Sequence, residues 1–258
     1  MSELVHYDVD RAIATITFDS PGNRNALSAQ LVGETTEKLR AAGEDAAVRA
    51  VVLTHTGTTF CAGADLRESS AEGGPELGTL RMLGLLRMIT ELHKPVIARI
   101  DGAARAGGLG IIGACDMAFA SPAASFAFTE VRLGLAPAII SLTTLSRMNE
   151  RAAGRYYLTG EKFDAAAAAA GGLITAAVDD LDAELARITD ALRTCSPQGL
   201  AETKPLTSHA VRKAFAEYAD EVQAQSARLF GSEEAREGML AFLQKRPPRW
   251  ALVQESGE

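Results

Sequence analysis

A unit recurring through the first 180 residues constrains this chain most: a short apolar strand, a glycine-bearing turn, then an amphipathic helix. Residues 12–18 alternate, with Ile13, Thr15 and Thr17 set against Ala14, Ile16 and Phe18, and residues 4–9 have similar character. Pro21-Gly22-Asn23 breaks the pattern. Ser28 then offers an N-cap hydroxyl to a helix in which Leu27, Leu31, Thr35 and Leu39 fall on one face and Gly43 ends the run. Residues 50–54, 96–100 and 117–120 are short apolar runs suited to buried strands, and residues 76–92 carry a second helical stripe through Leu80, Leu83, Leu86 and Ile89. Strands joined through helices run parallel, because parallel neighbours need a crossover of that length. The pattern predicts an α/β architecture, too irregular for a solenoid.

From Leu181 onward the pattern turns helical. Ser232 caps the last long helix, Glu233 and Glu234 sit at its positive end, and Lys245-Arg246 close it before Pro247-Pro248. Leu229, Phe230, Met239, Leu240, Phe242 and Leu243 give this tail more apolar surface than a detached helix carries, so it packs on the core or on a neighbouring subunit. We divide the chain into a core, residues 1–195, and a C-terminal helical region, residues 196–258.

Several function classes are disfavoured. The net charge of −7 argues against a nucleic-acid binder, which needs a basic face to displace counterions. The longest apolar run, residues 165–178, spans 14 residues and holds Gly171, Gly172 and Thr175, whereas a membrane span needs about 20. Met1-Ser-Glu-Leu-Val lacks the basic start of a signal peptide. Cys61, Cys115 and Cys195 are odd in number and widely spaced, and His6, His55, His93 and His209 share no spacing with one another. We expect a cytoplasmic protein with no metal site and no nucleic-acid or membrane partner.

Gly108-Leu-Gly110-Ile-Ile-Gly113 fits a dinucleotide fingerprint. The preceding strand, however, ends near Ile100, eight residues too early to seat a pyrophosphate at the helix start, so helix packing is the better reading. Two other loops make a sharper case. Phe60-Cys-Ala62-Gly63-Ala64-Asp65-Leu66 and Gly102-Ala-Ala-Arg105-Ala106-Gly107-Gly108 each follow a strand and are built of small residues that let backbone approach a ligand. One N–H from each, aimed at a single oxygen, makes an oxyanion hole. Glu130 lies between the aromatic-rich Phe126-Ala-Phe128 and residues 131–137, surroundings that raise a carboxyl toward neutral pKa. A surface position or a salt bridge to Arg132 is the alternative. Cys61 lacks a nearby His or cation in sequence and reads as packing.

These loops, with Asn23-Arg24-Asn25-Ala26-Leu27, Lys94-Pro95-Val96, Ala114-Cys115-Asp116, Phe128-Thr129-Glu130, Leu158-Thr159-Gly160, Arg236-Glu237-Gly238 and Phe242-Leu-Gln-Lys245-Arg-Pro-Pro, resemble the crotonase (enoyl-CoA hydratase/isomerase) superfamily over essentially the whole chain. The resemblance implies a crotonase-like fold with a C-terminal helical oligomerisation region, a homotrimer or homohexamer, and an acyl-CoA substrate. It implies no cofactor beyond the coenzyme A that belongs to the substrate. It assigns the thioester oxygen to the amides of Ala62 and Gly107 and proton transfer to Glu130. Arg24, Ala26, Ala64, Asp65, Leu66, Gly108 and a neighbouring subunit's Lys245 fall on the coenzyme A side. Many relatives carry a second glutamate where this chain has Gly110, so the two-glutamate hydration scheme is closed to it. That departure resembles a methylglutaconyl-CoA hydratase-like bacterial branch. Ala138 and its neighbours also depart from a glycine-rich run, so the pocket shape differs. Arg105 is either a partner for a second substrate carboxylate or an arginine paired elsewhere. The expected function is 2-enoyl-CoA hydration or its reverse. Isomerisation, thioester hydrolysis and non-catalytic acyl-CoA binding are the alternatives.

Overall fold

A computed structural model describes residues 2–65, 68 and 75–252. The chain opens with β1 (Val5–Asp10) and β2 (Ile13–Phe18), an antiparallel pair whose two-residue turn holds Arg11 and Ala12 at φ 42° and 65°. It continues through α1 (Ala29–Glu44), β3 (Ala50–His55), β4 (Thr59–Cys61), α2 (Pro75–Glu91), β5 (Val96–Ile100), β6 (Ala103–Arg105), α3 (Gly107–Ala114), β7 (Met117–Ala120) and β8 (Ser125–Ala127). A 3-10 turn, Glu130–Leu133, leads to α4 (Ala138–Thr144), α5 (Glu150–Thr159), β9 (Phe163–Asp164), α6 (Ala165–Ala170), β10 (Ala176–Ala177), α7 (Leu181–Thr194), α8 (Pro197–Thr207), α9 (His209–Phe230) and α10 (Glu233–Leu243).

The strands form two sheets. The larger has the order β1-β2-β3-β5-β7-β10, parallel from β2 onward, and the smaller has the order β4-β6-β8-β9. The repeated unit thus carries two strands. After β3, β5 and β7 the chain crosses within a few residues to β4, β6 and β8, which pair in parallel. Sequence periodicity shows only the first strand of each pair, because a three-residue strand is too short to display alternation. The expected caps at Ser28 and Ser232 are present, their side chains accepting the backbone N–H groups of Leu31 and Ala235, and Asp164 caps α6 in the same way by accepting from Ala167.

Phe18, Leu31, Leu53, Phe60, Leu86 and Phe126 are fully buried in the main core, where Val211, Phe215 and Ala219 of α9 join them. The opposite face of the large sheet buries Ile13, Val52, Ile97 and Phe119 against Leu181 and Leu192 of α7. The helical tail therefore packs on the core of its own chain. Two buried lysines tie helix ends to the start of β5. Lys204 donates to the carbonyls of Ile89 and Lys94 and pairs with Asp116 at 2.8 Å, while Asp116 accepts the Val96 N–H. Lys94 donates to the carbonyls of Ala42 and Asp45. Burial lowers the pKa of both amines, and the Asp116 charge opposes that at Lys204.

Candidate active site

Three backbone segments converge beside the small sheet. Asn25 is completely buried; its amide donates to the carbonyls of Thr59 and Thr56 and its oxygen accepts the Ser20 N–H. That lock holds Arg24 and Asn25 at φ 60° and 52°, a left-handed pair costly for Arg. Leu27 N–H donates to Gly63 O at 2.8 Å, and Leu27 forms a parallel bridge with Ala64, so residues 24–27 run along the loop that follows β4. The third segment follows β6. A Cβ on Gly63, itself at φ 92°, would stand 2.9 Å from the Ala106 Cβ and 3.7 Å from the Gly107 nitrogen. Ala106 has φ 47° and ψ −117°, a conformation suited to glycine. No sequence signal marks it, because alanine hides a strained backbone.

The two predicted oxyanion loops are thus adjacent, and the strands that deliver them are β4 and β6 of the small sheet rather than β3 and β5. Gly107 opens α3, where the first amides have no acceptor within the helix. The Ala62 N–H donates to Arg24 O at 3.1 Å, so a ligand oxygen would have to share or replace that bond.

Glu130 begins the 3-10 turn directly after Phe128, which packs on Tyr157 with ring centroids 4.3 Å apart. Its carboxylate is buried, and Oε2 has no hydrogen-bond partner among the described residues. Burial pushes the carboxyl up to about 7, and the bond from its own backbone N–H only partly offsets this. The salt bridge to Arg132 does not form, since Arg132 Nε donates instead to Thr159 O at 3.2 Å.

A cavity of about 580 Å³ brings most of these groups together. Arg24, Ala62, Ala64, Asp65, Arg105, Gly107, Glu130 and Ala138 line it, as do Met82, Ile140, Lys162, Ser226, Phe230 and Phe242, none of which the sequence marked as pocket residues. Ala26 and Gly108 are buried in the packing behind it and do not line it, and Lys245 of the same chain lies outside it. Leu66 falls outside the described residues. Gly110 is not on the wall either: its Cβ position lies 2.5 Å from Ile140 Cγ2, so Ile140 occupies the space a side chain there would need. Arg105 donates to the Ala104 carbonyl at 2.8 Å and to both oxygens of Ser125, the paired arrangement weighed above.

The glycine fingerprint lies inside α3, and the reason first given against it needs correcting. A strand, β6, does end just ahead of the motif. The motif fails because Cβ positions at Gly108, Gly110 and Gly113 meet Cys61, Ile140 and Thr143–Thr144 within 3.0 Å, so those faces are packed and cannot receive a pyrophosphate. Cys61 is fully buried and its thiol is pushed up to about 12, which makes it packing.

Comparison with known proteins agrees over the full length. The sequence pattern of the enoyl-CoA hydratase/isomerase family matches residues 8–252. The chain is 38% identical to a probable enoyl-CoA hydratase of Rhodobacter capsulatus, over 95% of this chain and 97% of the relative. A crystal structure of an enoyl-CoA hydratase from Mycobacterium avium superposes with a TM-score of 0.90 at 52% identity, over 97% of this chain and 100% of that one. A Shewanella pealeana enoyl-CoA hydratase structure gives 0.76 at 34% identity, over 96% of each chain.

Proposed function

This chain belongs to the enoyl-CoA hydratase/isomerase family, and on that premise we propose that it adds water to a 2-enoyl-CoA thioester, or removes it, with Glu130 as the one acid–base carboxyl. The observation that carries this reading is the Glu130 carboxyl, its Oε2 buried and without a hydrogen-bond partner among the described residues, on the wall of the cavity that holds both backbone loops. The Gly107 and Ala62 amides would hold the thioester oxygen as it takes on negative charge. Glu130 would accept a proton from water while the water oxygen bonds to Cβ, then deliver a proton to Cα on the same face. The carboxylate ends as it began, and the thioester has gained one water. A carboxyl near neutral pKa suits both halves of that exchange.

One feature also favours a second chemistry: a lone carboxyl can move a proton between Cα and Cγ without water, which is double-bond isomerisation. Incubation with a panel of acyl-CoA esters, read by mass spectrometry, decides between them. Hydration or dehydration changes the acyl-CoA mass by about 18 Da, isomerisation leaves it unchanged, and hydrolysis frees coenzyme A. Conversion by mass-neutral isomerisation alone, or binding with no conversion, would overturn the hydratase reading.

We propose further that the chain assembles as a trimer or hexamer. Leu243 and Leu252 are 57% and 99% exposed, more apolar tail surface than a monomer ordinarily leaves in water. Phe242 remains 53% exposed even though, with Phe230, it lines its own chain's cavity. Full-length protein sedimenting as a monomer at micromolar concentration would contradict assembly. The three free cysteines, two of them buried, fit a reducing, cytoplasmic setting.

A further inference from the structure

Glu237 and Arg246, in the segments Arg236-Glu237-Gly238 and Lys245-Arg246-Pro-Pro, take no proton in the chemistry above, yet they meet each other, and Gly238 beside them meets the Glu130 turn. At the end of α10, Lys245 adopts φ 54°; its N–H donates to Phe242 O and that of Arg246 to Ala241 O. This is the left-handed reversal that usually takes glycine. It sends the chain back along α10. Arg246 then grips Glu237 with both arms, at 2.7 and 3.0 Å, and the Arg249 N–H adds a third bond at 3.0 Å. The Glu237 side chain is only 7% exposed, so its charge depends on those partners.

An adjoining face of α10 presses on the turn that carries Glu130. A Cβ on Gly238 would lie 2.4 Å from Leu133 O, and one on Gly134 would lie 2.7 Å from the Glu234 carbonyl carbon. Backbone meets backbone there with no space for a side chain. The last turn of α10 places Phe242 on the cavity wall.

We propose that Glu237 is a positioning residue: by latching the reversed tail through Arg246 and Arg249, it holds α10 against residues 130–134 and keeps the Glu130 end of the cavity closed to water. This deepens the acid–base reading and rests on it. Glu237, Arg246 and Arg249 do not line the cavity, and its wall at Arg24, Ala64 and Asp65 is built from other segments. Tyr157 from α5 feels the Glu130 charge, and Arg105 from β6, Arg132 in the same turn and Lys162 ahead of β9 share the cavity wall with Glu130. Glu234 of α10 meets the turn through its backbone. Loosening α10 therefore changes the hydration of Glu130, while Arg105, Lys162 and Tyr157 are held by other segments.

The test uses full-length Glu237→Ala and Arg246→Met. The second variant removes the latch from its more exposed side, should the first not fold. Leu192→Ala, in the core beyond the large sheet, is the control for stability loss alone. Both latch variants are expected to lose kcat by about 10- to 10²-fold with KM nearly unchanged. The infrared carbonyl stretch of Glu130, assigned by its loss in Glu130→Gln, is expected to titrate at lower pH, because the carboxylate becomes hydrated. The control should leave that titration where it stands in wild type. A wild-type Glu130 titration in both latch variants, or an equal shift in the control, overturns the proposal. The infrared reading needs no turnover. A protein that converts no acyl-CoA would sink the proposed function and still leave the latch to be decided.

Discussion

Glu130→Gln is expected to lower turnover by about 10²–10⁴-fold, the usual contribution of a general acid–base group, while coenzyme A affinity holds. The same variant should be more stable than wild type, and only above mildly acidic pH. The folded-state pKa of Glu130 is raised to about 7 from 4.5. A group raised in this way contributes its full stability below the unfolded pKa and loses it as pH climbs through the folded one. Keeping the carboxylate buried therefore costs nothing near pH 4 and approaches ~3 kcal/mol at pH 8. The amide of Gln carries no charge at either pH, so the melting temperature should rise by roughly 5–10 °C at pH 8 and hardly at all at pH 4. Turnover near wild type on a substrate the native protein converts would remove Glu130 from the mechanism. A gain in melting temperature equal at both pH values would show that burial of its charge is not the cause.

Gly110→Glu is expected to fail as a single change. Its first added atom would lie 2.5 and 3.0 Å from Ile140 and 3.3 Å from Leu86, inside a close α3–α4 contact that Thr143 fastens by donating to Gly110 O. Forcing extra atoms into packed space costs about 1–3 kcal/mol, before a second carboxyl is brought toward Glu130. Ile140→Gly alone opens a cavity and is destabilising as well, on the order of 2–5 kcal/mol. The pair should be less destabilising than the sum of the two, with a coupling of roughly 0.5–3 kcal/mol. Urea unfolding of all four proteins measures this. Additive losses, or a single Gly110→Glu variant with wild-type stability, would show that Ile140 is not what closes position 110. On this reading the missing second carboxylate is a built feature of the site, since another side chain fills its place.

What the sequence revealed followed from periodicity and caps. Ser28 and Ser232 start helices where an oxygen-bearing side chain precedes an amphipathic run, and β2, β3 and β5 appear as apolar stretches. The small sheet was not legible, because β4, β6 and β9 are two or three residues long and owe their existence to one another. Glu130 could be singled out from its aromatic flank, but not the absence of an ion pair with Arg132, which turns to Thr159 instead. Ile140, Phe230 and Phe242 were legible only as apolar residues, and their place on the cavity wall follows from how α4, α9 and α10 pack. Ala26 and Gly108 sit in motif segments yet face packing, since adjacent residues on one loop point different ways.

The two buried lysines bear on the chemical durability of a protein that handles thioesters. Acyl-CoA esters acylate free amines and leave guanidinium groups alone. The chain has six lysines against twenty arginines. Lys94 and Lys204 keep their amines inside, donating to carbonyls and, for Lys204, to Asp116. Both have depressed pKa values, so more of each amine would be in the reactive neutral form were a reagent to reach it. Native packing thus shields the amines it makes more nucleophilic. Lys162 is the lysine of this chain that lines the cavity wall. An acyl mark on Lys204 would record a chain that had opened, whereas one on Lys162 would record use.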